Sequence, residues 1–342
     1  MLVHITICAD VVGKMRESGR VITMLAMLFL LLALFSTINT NAKSLTQQSS
    51  TLQIIVVDKD NDENYNSIQK AIDDAYPGDK ILVKSGRYDE ILDVKKNIYL
   101  VGEDKKSTLI NPISDKNKYA VRLGAQNIKM KNFGIVNRAP GLYTTGIKIT
   151  APFIEIENCD IYETPVGIAV WSSDSTIKNC EFRYCEDEGI ALLGWDGHEC
   201  NNNKITDCLF YKNCDGIELQ HSSYNIIKNC EFNQNTHTGI DAIASSNNDN
   251  RIENCKIVNN EVNGVYFSSS SNNRIIDCEI SDNKDGNIYM NKYSKNNLVF
   301  SSNEDDEPKD EKENKISIWY FLKNFKKIDR SEISGMISRL NF

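Results

Sequence analysis

Two carboxylates and a small set of softer ligands carry the chemistry available to this sequence. Glu218 and Asp241 each stand two residues after a glycine, Gly216 and Gly239, in similar surroundings. If equivalent positions are neighbours in space, the two carboxyls lie one strand spacing apart, ~4.8 Å. Like charges at that separation repel, so one of the pair holds its proton more tightly. That suits a general acid beside a base or nucleophile. Two residues before the same kind of glycine stand Asp187, Cys214 and His237. A thiolate and an imidazole on adjacent levels can reach toward one ion, which makes these three candidate ligands for a divalent metal such as copper; calcium is the other candidate cation, as a bridge to an acidic sugar. Asp187 and His237 are two levels apart, ~9.6 Å, and share an ion only if the turn bends. Trp171, Trp195, Gln220, His221 and Tyr266 fall at related positions or in adjoining loops. They form a candidate substrate surface in which the two indoles offer faces for sugar rings.

These residues become neighbours only if the chain repeats, and it does. The phrases Ile156-Glu157-Asn158-Cys159, Ile177-Lys178-Asn179-Cys180 and Ile205-Thr206-Asp207-Cys208 recur as Ile227-Lys228-Asn229-Cys230, Ile252-Glu253-Asn254-Cys255 and Ile275-Ile276-Asp277-Cys278. Successive cysteines are 21, 28, 22, 25 and 23 residues apart. A second beat follows each phrase: a glycine, usually before Ile or Val, at Gly146, Gly167, Gly189, Gly216, Gly239, Gly264 and Gly286. Each repeat carries two short runs of period two, such as Cys230-Glu231-Phe232 and Gly216-Ile217-Glu218-Leu219. Alternation over so few residues predicts half-buried strands, each pairing in parallel with its equivalent one turn later. A fixed period near 22 residues predicts a stacked array with inward ladders of Cys, Phe and Ile. Asn158, Asn179, Asn229 and Asn254 are expected to stack at a turn and satisfy its backbone. The third repeat is lengthened by Gly194-Trp195-Asp196-Gly197-His198-Glu199-Cys200.

From about Ile54 to Phe300 the chain resembles the right-handed parallel β-helix repeat proteins of the pectin-lyase-like superfamily. The nearest resemblance is to the NosD-type, carbohydrate-binding and sugar-hydrolase repeat group. It implies an all-β, single-stranded right-handed parallel β-helix, and either polysaccharide recognition or metal-centre assembly. The opening Tyr65-Asn66-Ser67-Ile68-Gln69-Lys70-Ala71-Ile72 is similar to the first segment of NosD-like and pectin-esterase-like chains. It predicts a short helix over Ser67–Ala75 that lids the first coil. Gly86-Arg87-Tyr88-Asp89-Glu90 fits an esterase box, but the later esterase boxes are missing, so it is read as a turn. The polygalacturonase and uronate-epimerase boxes are missing too.

The expected organisation is a signal peptide (1–42), an N-terminal cap and first coils (43–126), regular repeats (127–300), an acidic linker (301–315) and a C-terminal amphipathic helix or cap (316–342). The apolar run 21–35 follows Lys14, Arg16 and Arg20 and precedes Thr40-Asn41-Ala42, which predicts export. The formal charge is −8. Removing three basic and two acidic residues with 1–42 gives −9, which argues against a nucleic-acid partner. Six of the ten cysteines lie on the ladder, where packing explains them; Cys185, Cys200 and Cys214 stand off it. The leading expectation is an exported protein that recognises, and in an enzymatic form hydrolyses or lyses, carbohydrate or another cell-envelope component on the outer face of coils two to six. Membrane-surface contact through 316–340 is a further expectation. NosD-like assembly of a copper centre and a structural surface spacer are the alternatives.

Overall fold

The computed structural model describes residues 52–61, 65–113, 118–141, 144–195, 197–244 and 246–300, with the backbone of 309–310. The segments expected to be a signal peptide (1–42) and a C-terminal helix or cap (316–342), and all of the expected acidic linker but Lys309–Asp310, lie outside the described residues. No helix among the described residues is long and apolar enough to cross a membrane.

The chain winds into a parallel β-solenoid of about ten turns. Its walls are sheets of eleven, ten and nine strands, in which each strand pairs with its equivalent one coil away. The repeat thus contains three strands, not two. The asparagine between Ile177 and Cys180 explains the difference: Asn179 adopts a left-handed backbone with φ 53°, which separates Thr176–Lys178 from Glu181–Arg183. Asn158, Asn229 and Asn254 do the same on their coils. Asparagine tolerates this region better than most residues because its short amide bonds locally. The expected Asn stack is present, but its amides bond one another rather than the turn backbone. Asn254 Nδ2 donates to Asn229 Oδ1 at 2.8 Å, and Asn229 Nδ2 to Asp207 Oδ1 at 3.0 Å.

Inside, equivalent side chains lie over one another. Ile177, Ile205, Ile227 and Ile252 are register partners on one wall, and Phe182, Phe210 and Phe232 on another. The rings stack at 4.9 and 4.6 Å, close to the coil rise. The thiols of Cys208, Cys230 and Cys255 are buried beside them, and all nine described cysteines are free. Burial pushes the Cys208 thiol up, away from the reactive thiolate.

The glycine beat has a steric cause. A Cβ on Gly239 would lie 2.6 Å from the carbonyl oxygen of Gly264 on the next coil, and on Gly189 2.8 Å from that of Gly216. The last beat is shifted by one residue: Gly286 pairs with Asn263, and Asn287 takes the place facing Gly264.

Two further ladders were not legible as such in the repeats. Asn203, Asn225, Asn250 and Asn273 form one, and Asn213, Asn235, Asn260 and Asn283 the other, all buried. The Asn213 backbone N–H donates to Asn235 Oδ1 at 3.1 Å, and that of Asn235 to Asn260 Oδ1 at 3.1 Å. These amides supply the acceptors that turn N–H groups need away from water. Asn235→Ala strands the Asn213 donors and is expected to lose about 2–3 kcal/mol in urea denaturation, far more than an exposed Asn→Ala. An effect below 0.5 kcal/mol would rule out that role.

At the N-terminal end the predicted helix forms over Ile68–Asp74, with Ser67 as N-cap. Ile68, Ala71 and Ile72 are buried. Gly86–Tyr88, read as a turn, is instead a strand paired with Thr108–Ile110. Glu90 beyond it accepts from Ser67 Oγ (2.7 Å) and from the Ile68 and Gln69 N–H groups (both 3.0 Å). The motif therefore anchors the lid through the unpaired donors of a helix start.

Candidate functional site

The ten-stranded sheet carries the chemistry-bearing residues on its outer side. Glu188–Leu193, Asp215–Gln220 and Ile240–Ala242 are consecutive strands, with Glu218 directly paired to Asp241. Glu188 pairs with Asp215 one row away. Both strands bury an inward isoleucine, Ile190 and Ile217, which fixes the opposite parity for Ala191 and Glu218.

The outward carboxyls are not solvent-facing, contrary to the reading from alternation. Glu218 and Asp241 are 8% and 5% exposed, and Glu188 and Asp215 are 7% and 5%. On the outer side of this sheet Val166, Ala169 and Ala191 pack together beneath Trp171 and Leu193. Around Glu218, Gln220 Nε2 donates to Oε1 at 2.6 Å. Alternation reports only which side of the sheet a residue takes, and here neighbouring side chains fill that side.

Burial in this strip favours neutral carboxyls. It pushes Glu188 up to about 9, helped by the charges of Glu218 and Asp187. Glu218 rises to about 7, mainly through burial, as does Asp241, with Asp215 and Glu218 adding to it. Asp215 is raised less, because His237 opposes its burial. Neighbouring carboxyls raised in this way can both donate and accept protons.

His237 Nδ1 lies 2.8 Å from Asp215 Oδ1 and 3.9 Å from Asp241 Oδ2. The Thr238 N–H also donates to Asp215 Oδ1, at 2.7 Å. Asp187, Cys214 and His237 do stack on successive coils: the Cys214 N–H meets Asp187 O at 3.0 Å, and the His237 N–H meets Cys214 O at 2.9 Å. The donor atoms gathered within 4.8 Å of one another are nevertheless those of Asp215, His237 and Asp241. Cys214 and Asp187 are not among them. The Cys214 thiol is pushed up to about 11 by burial and by Asp215 and Asp187, which disfavours the thiolate a metal would bind. Glu188 and Asp215 were missed as site members, although two acids immediately before successive glycines were visible in the sequence.

Aromatic groups flank the carboxyls. On one side Trp171 and Trp195 have centroids 5.3 Å apart at 60°. Lys148 Nζ stands 5.4 Å from the Trp171 ring centre. Trp195, 42% exposed, rides on the insertion, where Trp195 and His198 exchange backbone hydrogen bonds of 2.9 and 2.8 Å. On the other side Tyr266 is the register partner of Asp241 and stacks on Tyr289 at 5.1 Å. His221 takes φ 44°, and its carbonyl lies so close beneath Gly194 that no side chain fits there.

No curated protein sequence matches the chain. Among solved structures it is similar to the pectate lyase Pel9A, with 16% identity, TM-score 0.50, and 80% of this chain and 82% of that one covered. It is also similar to the enzymatically active domain of tailspike protein 2 of bacteriophage CBA120, with 14% identity, TM-score 0.52, and 69% and 40% covered. ORF18 of Geobacillus virus E2 gives 11% identity, TM-score 0.53, and 70% and 55% covered. The chain thus spans about two fifths of the tailspike domain and about half of the viral protein. At such identities the likeness is one of fold. The family model described as "Right handed beta helix region" matches residues 97–248 and 141–305, together more than half of the sequence. With its parallel coils and three sheets, the chain belongs to the right-handed β-helix family.

Proposed function

We propose that the chain is an exported protein that recognises and processes carbohydrate along the outer strip of its ten-stranded sheet. One observation carries this reading: on a single sheet face, the register-paired carboxyls Glu218 and Asp241 lie between two aromatic shelves, Trp171–Trp195 and Tyr266–Tyr289. From the Trp171 coil to the Tyr266 coil is four coil steps, ~19 Å, room for several sugar rings in a row. Stacking on aromatic faces holds the rings, and Gln220 keeps Glu218 in place by its 2.6 Å bond. At one strand spacing, Glu218 then serves as the acid that protonates the leaving oxygen, and Asp241 as the nucleophile that bonds the sugar until a water, with Glu218 now as base, releases it.

The test is a panel of neutral and acidic polysaccharides, scored for both binding and product release. Trp195→Ala is expected to weaken binding about tenfold. Glu218→Gln and Asp241→Asn are expected to slow product release ~100-fold or more, with the melting temperature held or raised. If no polysaccharide is bound, the reading fails. If polysaccharide is bound but never cut, recognition stands and processing is withdrawn.

A further inference from the structure

The geometry points to a transition-metal site formed by Asp215, His237 and Asp241, which goes beyond the carbohydrate reading and does not depend on it. These three residues sit on two adjacent coils. Asp215 accepts from the Thr238 N–H, and Asp241 is the register partner of Glu218 on the adjacent coil. One atom from each lies within 4.8 Å of the others. Four-coordinate ions with bonds of ~2.1 Å hold their ligand atoms ~3.4 Å apart. The separations from His237 Nδ1 to Asp215 Oδ1 and Asp241 Oδ2, 2.8 and 3.9 Å, bracket that value.

Asp241 Oδ1 and Thr238 Oγ1 are buried without a hydrogen-bond partner, and they are the two such side-chain atoms among the described residues. Asp241 is 95% buried, and a carboxylate in that position needs a cation or a donor. None of the described lysines or arginines forms an ion pair with Asp215 or Asp241; their one ion-pair partner among the described residues is His237. A divalent ion supplies two positive charges at the centre of this acid strip.

The donor set selects the class of ion. Calcium and magnesium prefer all-oxygen cages, whereas an imidazole nitrogen with two carboxylates suits zinc and its first-row neighbours. On binding, the Asp215–His237 hydrogen bond gives way to an ion that both residues share, and Asp241 Oδ1 or Oδ2 completes a three-residue set. A fourth position is left for water or an incoming ligand. With the ion in place, Asp241 is a ligand and no longer open to the role the carbohydrate reading gives it, while Glu218 stays outside the ligand set.

The experiment uses the full chain, stripped with a chelator and titrated with zinc chloride by calorimetry. Cobalt(II) absorption reports the nitrogen–oxygen coordination. One zinc per chain is expected, with a rise in melting temperature as zinc is added. Asp215→Asn, Asp241→Asn and His237→Gln are each expected to weaken uptake roughly 100-fold or more. Cys214→Ser is expected to leave it unchanged. His237 is 45% exposed along its side chain, so His237→Gln keeps its fold, as circular dichroism will verify, and the test does not hang on the buried aspartates. Excess calcium is expected not to displace the zinc. The proposal is overturned if uptake is absent, if His237→Gln binds as the parent does, if Cys214→Ser abolishes binding, or if calcium displaces the metal. No sugar enters this experiment, so its failure leaves the carbohydrate reading untouched, and the reverse holds too.

Discussion

Gly239→Ala is expected to destabilise the protein by about 3–5 kcal/mol, the scale of a gross core error from adding a single methyl. The new Cβ would stand 2.6 Å from the Gly264 carbonyl oxygen and 2.6 Å from the Ile257 Cγ2 methyl. Neither obstacle can yield. The Gly264 carbonyl belongs to the next coil, and Ile257 is fully buried in register with Phe232 and Ile280. Asn260 of the buried amide ladder stands behind, 3.2 Å away. Gly124→Ala is the control: its Cβ would meet only the movable end of the Arg122 side chain, at 3.3 Å, and about 0.5 kcal/mol or less is expected. Urea denaturation of both variants decides the matter. A Gly239→Ala protein within 1 kcal/mol of the parent would mean that the coils are looser than described.

For the chelator-treated protein, stability should fall as pH rises from 5 to 8, and Glu188→Gln should remove much of that fall. In the fold, burial holds Glu188 at about 9, Glu218 at about 7 and Asp241 at about 7. In the unfolded chain these groups return to the ordinary carboxylate range. Between the two values the folded state binds the extra protons, so unfolding releases them and higher pH favours it. The contribution is fully present below the ordinary carboxylate range and is lost as pH climbs through 7 and then 9. For Glu188, the loss between pH 5 and 8 is on the order of 3 kcal/mol. Glutamine keeps the shape of Glu188 without a proton to lose. Glu188→Gln should therefore match the parent at pH 5 and exceed it at pH 8. A parent melting temperature that is flat or rising over this range would show that the strip is wetter than its burial indicates.

The winding was legible because its cause is periodic. Ile, Cys, Phe and Gly recur at fixed offsets, and only stacking places such letters side by side. The pairing of Glu218 with Asp241 followed from counting off the glycine. Three things did not follow. The third strand of each coil was hidden, because a left-handed Asn179 or Asn229 looks like any loop asparagine until its φ is known. The buried amide ladders were hidden because Asn225 and Asn235 carry no mark that separates them from exposed asparagines. The cover over the acid strip was hidden because alternation distinguishes the two faces of a sheet but not what lies on them. Asp215 shows the last point best. Its position before Gly216 was plain, yet its importance rests on His237 turning toward it, and that depends on side-chain torsions.

The register of the three walls also has a mechanical consequence. Every interstrand hydrogen bond joins one coil to the next, so the bonds run along the axis of the winding. Tension applied along that axis loads the coils in series, and the weakest junction gives way alone while its neighbours stay intact. Squeezed from the side, the same molecule opposes the load with continuous stacks of isoleucine and phenylalanine. It is built to be stiff across its width and to unzip along its length.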